Sequence, residues 1–331
     1  MKALVLEAVN TAPVFKEVET QSPKAGEVLI KIEAAALNHR DIYISQGLYP
    51  NIQTPVIQGS DGAGTVVELG ADVSAKWLNK SVIINPNNNW GDNPAVQDKK
   101  YHILGMPSNG TLAEYLCVKA DRLVEKPEHL SFVQAAALPL AGLTAYRSLF
   151  TKAGLKKGER LLVSGIGGGV ALMGFQMAMA IGAEVWVTSG SDEKIDLAVS
   201  LGAKGGINYK TENWHKELEK KANGGFDVIL DSAGGEGFQY FLDLANPAAR
   251  IVFYGGTRGS FKVSPQKMFW KQLSMFGSTM GDDSDFSNMV TLFNEYKIEP
   301  FVKETWSLSD GAEAFKHMDE GQQFGKIVLL P

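Results

Sequence analysis

The feature that most restricts what this chain can fold into lies at residues 160–171. There an apolar run, Arg160-Leu161-Leu162-Val163-Ser164, passes through Gly165-Ile166-Gly167-Gly168-Gly169-Val170-Ala171 into an apolar helical pattern. A strand, a glycine turn and a helix, in that order, open a dinucleotide-binding unit. Gly165 can make the tight turn, Gly168 or Gly169 lets backbone N–H groups approach a pyrophosphate, and Ala171 is small enough for helix and strand to pack closely. The positive end of the helix favours the phosphates. The spacing departs from the usual fingerprint, because Val170 stands where a third glycine is expected. A glycine turn in another kind of α/β protein is therefore the competing reading.

The surroundings narrow the choice. From about residue 130, strand-like runs near 160–164, 184–188, 227–231, 250–254 and 273–277 alternate with helical patterns at 171–181, 193–201 and 213–221. Nearly continuous apolar strands separated by helices predict a parallel sheet covered on both faces, and right-handed crossovers make it doubly wound. Residues 131–150 read as one helix capped by Ser131. Before residue 123 the texture is different: short β runs at 2–6, 27–34, 63–69 and 81–85 are broken by Pro, Gly and Asn. Residues 85–111 are a long polar excursion. A helical piece at 285–296 leads to strand-like runs at 299–305 and 326–330 that resume the β texture. The chain, at 331 residues, exceeds the ~250–300 at which single cores stop growing. The expected organisation is a mainly β unit of residues 1–128 and 282–331 and a Rossmann unit of residues 129–281.

The end of the second Rossmann strand bears on the cofactor. An acidic residue ~20 positions after the glycines holds the ribose 2′-hydroxyl in NAD enzymes. Here the strand runs into Ser189-Gly190-Ser191-Asp192-Glu193-Lys194, with small hydroxyls in the carboxylate's place and a lysine one turn on. A carboxylate would repel a 2′-phosphate, whereas Ser189, Ser191 and Lys194 can donate hydrogen bonds and positive charge. Asp192 and Glu193 sit where the first turn of a helix favours acids. This chemistry favours NADPH, the competing reading of Lys194 being a solvated helix lysine.

Composition excludes several classes. A net charge of −5 argues against a nucleic-acid or anionic-membrane surface. The single cysteine, Cys117, rules out an intramolecular disulfide and a thiolate metal cluster, and its strand-like setting at 113–119 reads as buried core. No run reaches the ~20 apolar residues of a membrane span, and the opening MKALVLEAV lacks a signal peptide's apolar region. A cytoplasmic location is the default expectation.

Several segments, taken in order, carry a resemblance: Ala36-Leu37-Asn38-His39-Arg40-Asp41, Gly59-Ser60-Asp61-Gly62-Ala63-Gly64, Ala141-Gly142-Leu143-Thr144-Ala145-Tyr146, the glycine turn, Gly190-Ser191-Asp192-Glu193-Lys194, Ile207-Asn208-Tyr209, Phe276-Gly277-Ser278 and Gly325-Lys326-Ile327-Val328-Leu329. Over nearly its whole length the chain resembles the medium-chain dehydrogenase/reductase superfamily, and within it the zinc-independent quinone oxidoreductase and enoyl reductase branch. The resemblance implies a GroES-like catalytic domain built from the N-terminal part and the C-terminal tail, a cofactor cleft between the domains, and a homodimer. It also implies that Ser191, Lys194 and Tyr209 surround the adenosine 2′-phosphate, that Gly255, Gly277 and Ser278 line the nicotinamide half, and that Thr144 lies near the ring. Zinc-dependent relatives carry Cys-His where this chain has Asn38-His39, and Gly-His-Glu where it has Gly59-Ser60-Asp61. A catalytic zinc needs about three good N, S or O donors, so no metal is expected.

Without a Lewis acid, an unactivated ketone is a poor hydride acceptor. Quinones, enals, enones and enoyl thioesters spread the incoming charge, and a positioned hydrogen-bond donor can suffice for them. The expected partner is such a small electrophile. Asn38 can donate through its amide. Tyr49, in Ser45-Gln46-Gly47-Leu48-Tyr49-Pro50, matches the place of a catalytic tyrosine in enoyl-thioester reductases of the superfamily, and its phenol is a suitable weak acid. Tyr43 competes with it, and a merely lining role for Tyr49 stays open. His39 reads as a hydrogen-bonded strand-end or loop residue ahead of a general acid, Asp41 as stabilising the backbone of that turn ahead of a catalytic base, and Trp90 and Tyr101 as shaping either the substrate mouth or an interface. An enoyl-thioester reductase, supported only by Arg40 and Lys99-Lys100, and a non-catalytic nucleotide sensor are the alternatives.

Overall fold

The computed structural model describes all residues from Met1 to Pro331. It divides into two compact units: Met1–Ala141 with Asp282–Val290 and Glu299–Pro331, and Gly142–Gly281 with Thr291–Ile298.

The second unit is a six-stranded sheet. Its strands lie in the order Gly205–Asn208, Glu184–Ser189, Arg160–Val163, Phe226–Asp231, Ala245–Phe253 and Ser274–Gly277, and every neighbouring pair is parallel. The order turns back at Arg160–Val163, which is the switch point at which doubly wound sheets bind ligands. Helices Gly169–Ala180, Asp192–Ser200, Trp214–Ala222 and Gln239–Leu244 provide crossovers. The apolar runs follow from burial on both faces: Leu161, Leu162, Val163, Val228, Ile229 and Leu230 are all fully buried. On one face Leu162, Ile229 and Ile251 pack with Trp214, Leu218, Phe238 and Phe241. Each such side chain contributes about 1.5–3 kcal/mol of transfer free energy.

The first unit centres on the strand Glu27–Ala36, which pairs antiparallel with Asp61–Leu69, with Tyr115–Lys119 and with Ile327–Leu330. Ile30 and Ile32 face the core while Lys31 between them is exposed, the period of two expected of a sheet with one wet face. Ile327–Leu330 also pairs parallel with Glu304–Ser307. The returning C-terminal segment thus supplies two strands and the core residues Phe315 and Leu329.

Four details depart from the sequence reading. The single helix expected over 131–150 is two, Phe132–Ala137 and Pro139–Tyr146, followed by a π-helical segment Arg147–Lys152. Ser131 caps the first, its hydroxyl accepting from the Gln134 N–H at 3.2 Å. Pro139 has no N–H to continue the ladder, so a new helix starts at it. The excursion at 85–111 contains a small pairing of Asn87–Asn88 with His102–Ile103. The strand expected at 299–305 begins only at Glu304. Finally, Cys117 is not core: Leu116 and Val118 take the buried face of its strand, and alternation turns Cys117 to the other side, partly exposed.

The Cys117 thiol donates to the Gln21 carbonyl at 3.4 Å. Its pKa is pushed up from 9.0 to about 11, first by desolvation and then by the nearby Glu27 and Glu68 carboxylates. The thiolate is the reactive form. At pH 7.5, iodoacetamide is therefore expected to alkylate Cys117 roughly 100-fold more slowly than an unperturbed thiol. Mass spectrometry over a time course checks this, and labelling at the rate of free cysteine would show that the thiol is not shielded.

Candidate active site

In the first unit, strand register brings distant residues together. Asp61 and Val328 are both paired with Ala36, from opposite sides. Continuing the three strands by one or two residues places Asn38, Asp61 and Lys326 side by side. Lys326 Nζ donates to the Leu37 carbonyl (2.6 Å), Asn38 Oδ1 (2.6 Å) and Asp61 Oδ2 (2.9 Å). Asn38 Nδ2 donates to the same Asp61 oxygen at 2.9 Å, and the other Asp61 oxygen accepts from the Leu140 N–H at 2.8 Å. Lys326 and Asp61 are almost wholly buried, at 4% and 0% exposure. A buried ion pair is tolerable only when its remaining hydrogen-bonding capacity is filled. Here all three ammonium hydrogens have acceptors. The Asn38 amide keeps one N–H that bonds to no protein group.

The helix His39–Ser45 begins directly after Asn38, and the Asn38 N–H donates to Asp41 Oδ2 at 2.9 Å, so Asp41 holds the turn. Burial raises the Asp41 carboxyl above its ordinary pKa, against the lowering influence of the neighbouring Arg40. The packing around His39 and then the Lys326 ammonium hold that imidazole below the ordinary histidine value, with Asp319 opposing. Arg40 is 8% exposed. Its Nη1 donates to Ser60 Oγ (2.6 Å) and the Leu104 carbonyl (2.8 Å), and its Nε is buried without a partner. The guanidinium lies 5.1 Å from the centre of the Tyr49 ring. Tyr101 donates its hydroxyl to Asn87 Oδ1 at 2.7 Å and meets Trp90 edge-to-face at 5.2 Å. Burial, and next Tyr49, push the Tyr101 phenol well above its ordinary pKa. Asn38, Ser60 and Asp61 are thus committed to two fixed cations, Lys326 and Arg40. No three His, Cys, Asp or Glu side chains are grouped to hold a metal ion, and a zinc ion does not fit this donor set.

In the second unit the glycine turn has the conformation its residues allow. Gly165 and Gly167 have φ of +65° and +119°, and Gly168 caps the following helix in an extended conformation. The first helical bond there runs from the Leu172 N–H to the Gly168 carbonyl at 2.9 Å. The N–H groups of Gly169, Val170 and Ala171 precede it and can face an anion. A Cβ on Gly168 would meet nothing closer than 3.8 Å, so space lies above the turn. At the next strand end the Ser189 hydroxyl accepts from the Ser191 N–H (3.2 Å), and the Ser191 hydroxyl caps the Asp192–Ser200 helix by accepting from the Lys194 N–H (3.4 Å). Lys194 lays its chain along the turn: a Cβ on Gly167 would stand 2.9 Å from its Cδ. Tyr209 lies against Gly190, where a Cβ would stand 2.7 Å from the phenol oxygen.

The residues expected at the nicotinamide half also belong to this unit. A Cβ on Gly255 would be 2.5 Å from the Ser232 carbonyl, so only glycine fits. Gly277 ends the last strand, and a Cβ there would make only ordinary contact with Phe253. The Ser278 N–H bonds to the Phe253 carbonyl at 3.0 Å while its Oγ is buried with no partner. Thr144 is buried, with its hydroxyl 3.8 Å from Met280 Sδ. An orphaned Ser278 hydroxyl, an open glycine cradle and unpaired helix N–H groups fit a dinucleotide. Lys326, Ser60, Arg258 and Asp231 are further residues of these sites that no local sequence pattern marks. Asp231 accepts from Ser164 Oγ and, at 2.8 Å, from the Gly234 N–H, thereby fixing the loop after its strand.

Known proteins agree with this architecture. Residues 24–128 match the family described as the alcohol dehydrogenase GroES-like domain, and residues 169–295 the family described as zinc-binding dehydrogenase. The zinc-type alcohol dehydrogenase-like protein YogA of Leptosphaeria maculans is 37% identical, covering 94% of this chain and 92% of its own. Human quinone oxidoreductase is 29% identical, covering 93% and 90%. A crystal structure of an NAD-dependent alcohol dehydrogenase superposes with a TM-score of 0.93 at 31% identity over 100% of both chains. The chain belongs to the medium-chain dehydrogenase/reductase superfamily, as an oxidoreductase built from a GroES-like domain and a Rossmann domain.

Proposed function

We propose that this oxidoreductase uses NADPH to reduce quinones or α,β-unsaturated carbonyl compounds, and that it does so without a catalytic zinc. The observation that carries this reading is the ammonium of Lys326 seated among Leu37, Asn38 and Asp61. Where zinc-dependent relatives offer a thiolate and an imidazole, Asn38 and Ser60 serve Lys326 and Arg40. A divalent ion brought there would meet two fixed positive charges, two weak neutral donors and one carboxylate already shared by Lys326, Asn38 and the Leu140 N–H.

NADPH, when bound, supplies the hydride. The chain's residues bind and orient it: N–H groups at the start of the Gly169–Ala180 helix hold the pyrophosphate, Ser191 and Lys194 read the 2′-phosphate, and the Ser278 hydroxyl is placed for the nicotinamide half. In the first unit the free Asn38 N–H and the Tyr49 phenol are neutral donors for the acceptor's oxygen, and Tyr49 returns a proton to it. Neutral donors stabilise charge spread over a conjugated system. They do little for the localised alkoxide formed from a simple ketone, which in this superfamily is the task of the metal.

The test is to strip the protein with a chelator, add NADPH, and follow its absorbance with benzoquinone, an enal, a crotonyl thioester and a simple ketone. Oxidation is expected with the quinone and the enal and not with the ketone. Ketone turnover that appears only when zinc is added back would sink the proposal.

A further inference from the structure

Three cationic side chains gather at the edge of the second unit where the strands Glu184–Ser189 and Gly205–Asn208 end. Lys194 reaches the glycine turn, Lys210 places its Cε 3.0 Å from where a Cβ on Gly190 would lie, and Arg258 comes from the segment after the strand Ala245–Phe253. Arg258 is anchored through its backbone. Its N–H donates to the Ala233 carbonyl and the Gly235 N–H donates to the Gly259 carbonyl, both at 2.9 Å. Its guanidinium lies 5.1 Å from the centre of the Tyr209 ring and donates from Nη2 to the phenol oxygen at 3.3 Å. Tyr209 is itself fixed, its N–H bonding to the Ser189 carbonyl at 3.0 Å.

The nearby carboxylates do not neutralise this guanidinium. Asp192 Oδ1 accepts from Asn208 Nδ2 at 3.1 Å, and Glu193, in the first turn of the Asp192–Ser200 helix, forms no ion pair with Arg258. Arg258 therefore has only an aromatic face and a neutral hydroxyl as side-chain partners. A planar fork of N–H donors in that position suits a phosphate better than a phenol, because charge-assisted bidentate bonds are about twice as strong as neutral ones.

We propose that Arg258 is a specificity-determining residue that binds the adenosine 2′-phosphate, with the Tyr209 ring as its rest. This inference deepens the NADPH reading and rests on it. Tyr209 holds the guanidinium near the strand ends, and a dianionic phosphate above Ser191 and Lys194 draws it across. Lys194 and Lys210 bring point charges to that edge, but neither presents a planar pair of N–H donors to two phosphate oxygens at once. Arg258 supplies that fork.

The experiment measures equilibrium binding by full-length protein, using nicotinamide fluorescence for NADPH and NADH and calorimetry for 2′,5′-ADP and 5′-ADP. The proteins are the unaltered chain, Arg258→Gln and Arg258→Lys. Arg258→Gln is expected to weaken NADPH and 2′,5′-ADP by roughly 10- to 100-fold while leaving NADH and 5′-ADP unchanged, and Arg258→Lys to recover part of the loss. If NADPH and NADH weaken together, Arg258 only supports Tyr209 and its loop, and the assignment fails. It also fails if the unaltered protein prefers NADPH and Arg258→Gln keeps that preference. Tighter binding of NADH than NADPH by the unaltered protein would instead overturn the cofactor reading itself.

Discussion

Replacing Lys326 by methionine is expected to destabilise the first unit by about 3–5 kcal/mol, the usual penalty for leaving a buried charge without its partner. Asp61 is fully buried, and after the substitution its only remaining donors are the Asn38 amide and the Leu140 N–H. For a unit of this size the loss lowers the melting midpoint by roughly 6–20 °C. Calorimetry or circular dichroism reads it. Two comparisons make the result diagnostic. Lys326→Arg keeps the charge and should lose less, and Lys326→Met combined with Asp61→Leu should regain part of the loss, because removing both charges removes the desolvation problem. A change below ~1 kcal/mol in Lys326→Met would mean that water reaches Asp61 and that the pair is worth no more than a surface salt bridge.

Lys194→Ala is expected to weaken NADPH by roughly 10- to 100-fold, the value of a charge-assisted hydrogen bond, and to spare NADH. The structure makes the alternative outcome specific. Because the Lys194 chain lies against Gly167, a side chain that merely props the glycine turn would lose both cofactors equally. Kd values for the two dinucleotides decide between these. Two cations on one phosphate share their effect, so the Lys194→Ala and Arg258→Gln double variant should lose less selectivity than the product of the single losses.

The parts of the architecture that were legible in the sequence are local. The glycine turn, the Ser191 cap and the apolar strands at 160–163 and 226–231 each declare themselves within a few residues, because turn, cap and strand chemistry acts over that distance. The Asn38–Asp61–Lys326 cluster is different. Its members are 23, 265 and 288 positions apart, and only the register of three strands brings them together. No period or spacing within one segment signals that. Arg258 was illegible for a similar reason: it sits in a Gly-rich loop, and its link to Tyr209 spans 49 positions. Even a local reading failed where two signals competed, as when the apolar pattern through 131–150 suggested one helix and Pro139 divided it.

The separation of Asp61 from Lys326 also bears on how the protein is made. A ribosome delivers the carboxylate first and its counter-ion 265 residues later, roughly 15–50 s at ordinary elongation rates. Over that interval the sheet around Glu27–Ala36 also lacks the neighbour that Ile327–Leu330 provides, so Ala36 has one pairing partner in place of two. The Rossmann strands, all contained in a continuous stretch from Arg160 to Gly277, have every partner in hand before then. The unit that begins the chain is therefore the one that finishes folding last, and it is the unit whose exposed strand edge a chaperone would have to guard during synthesis.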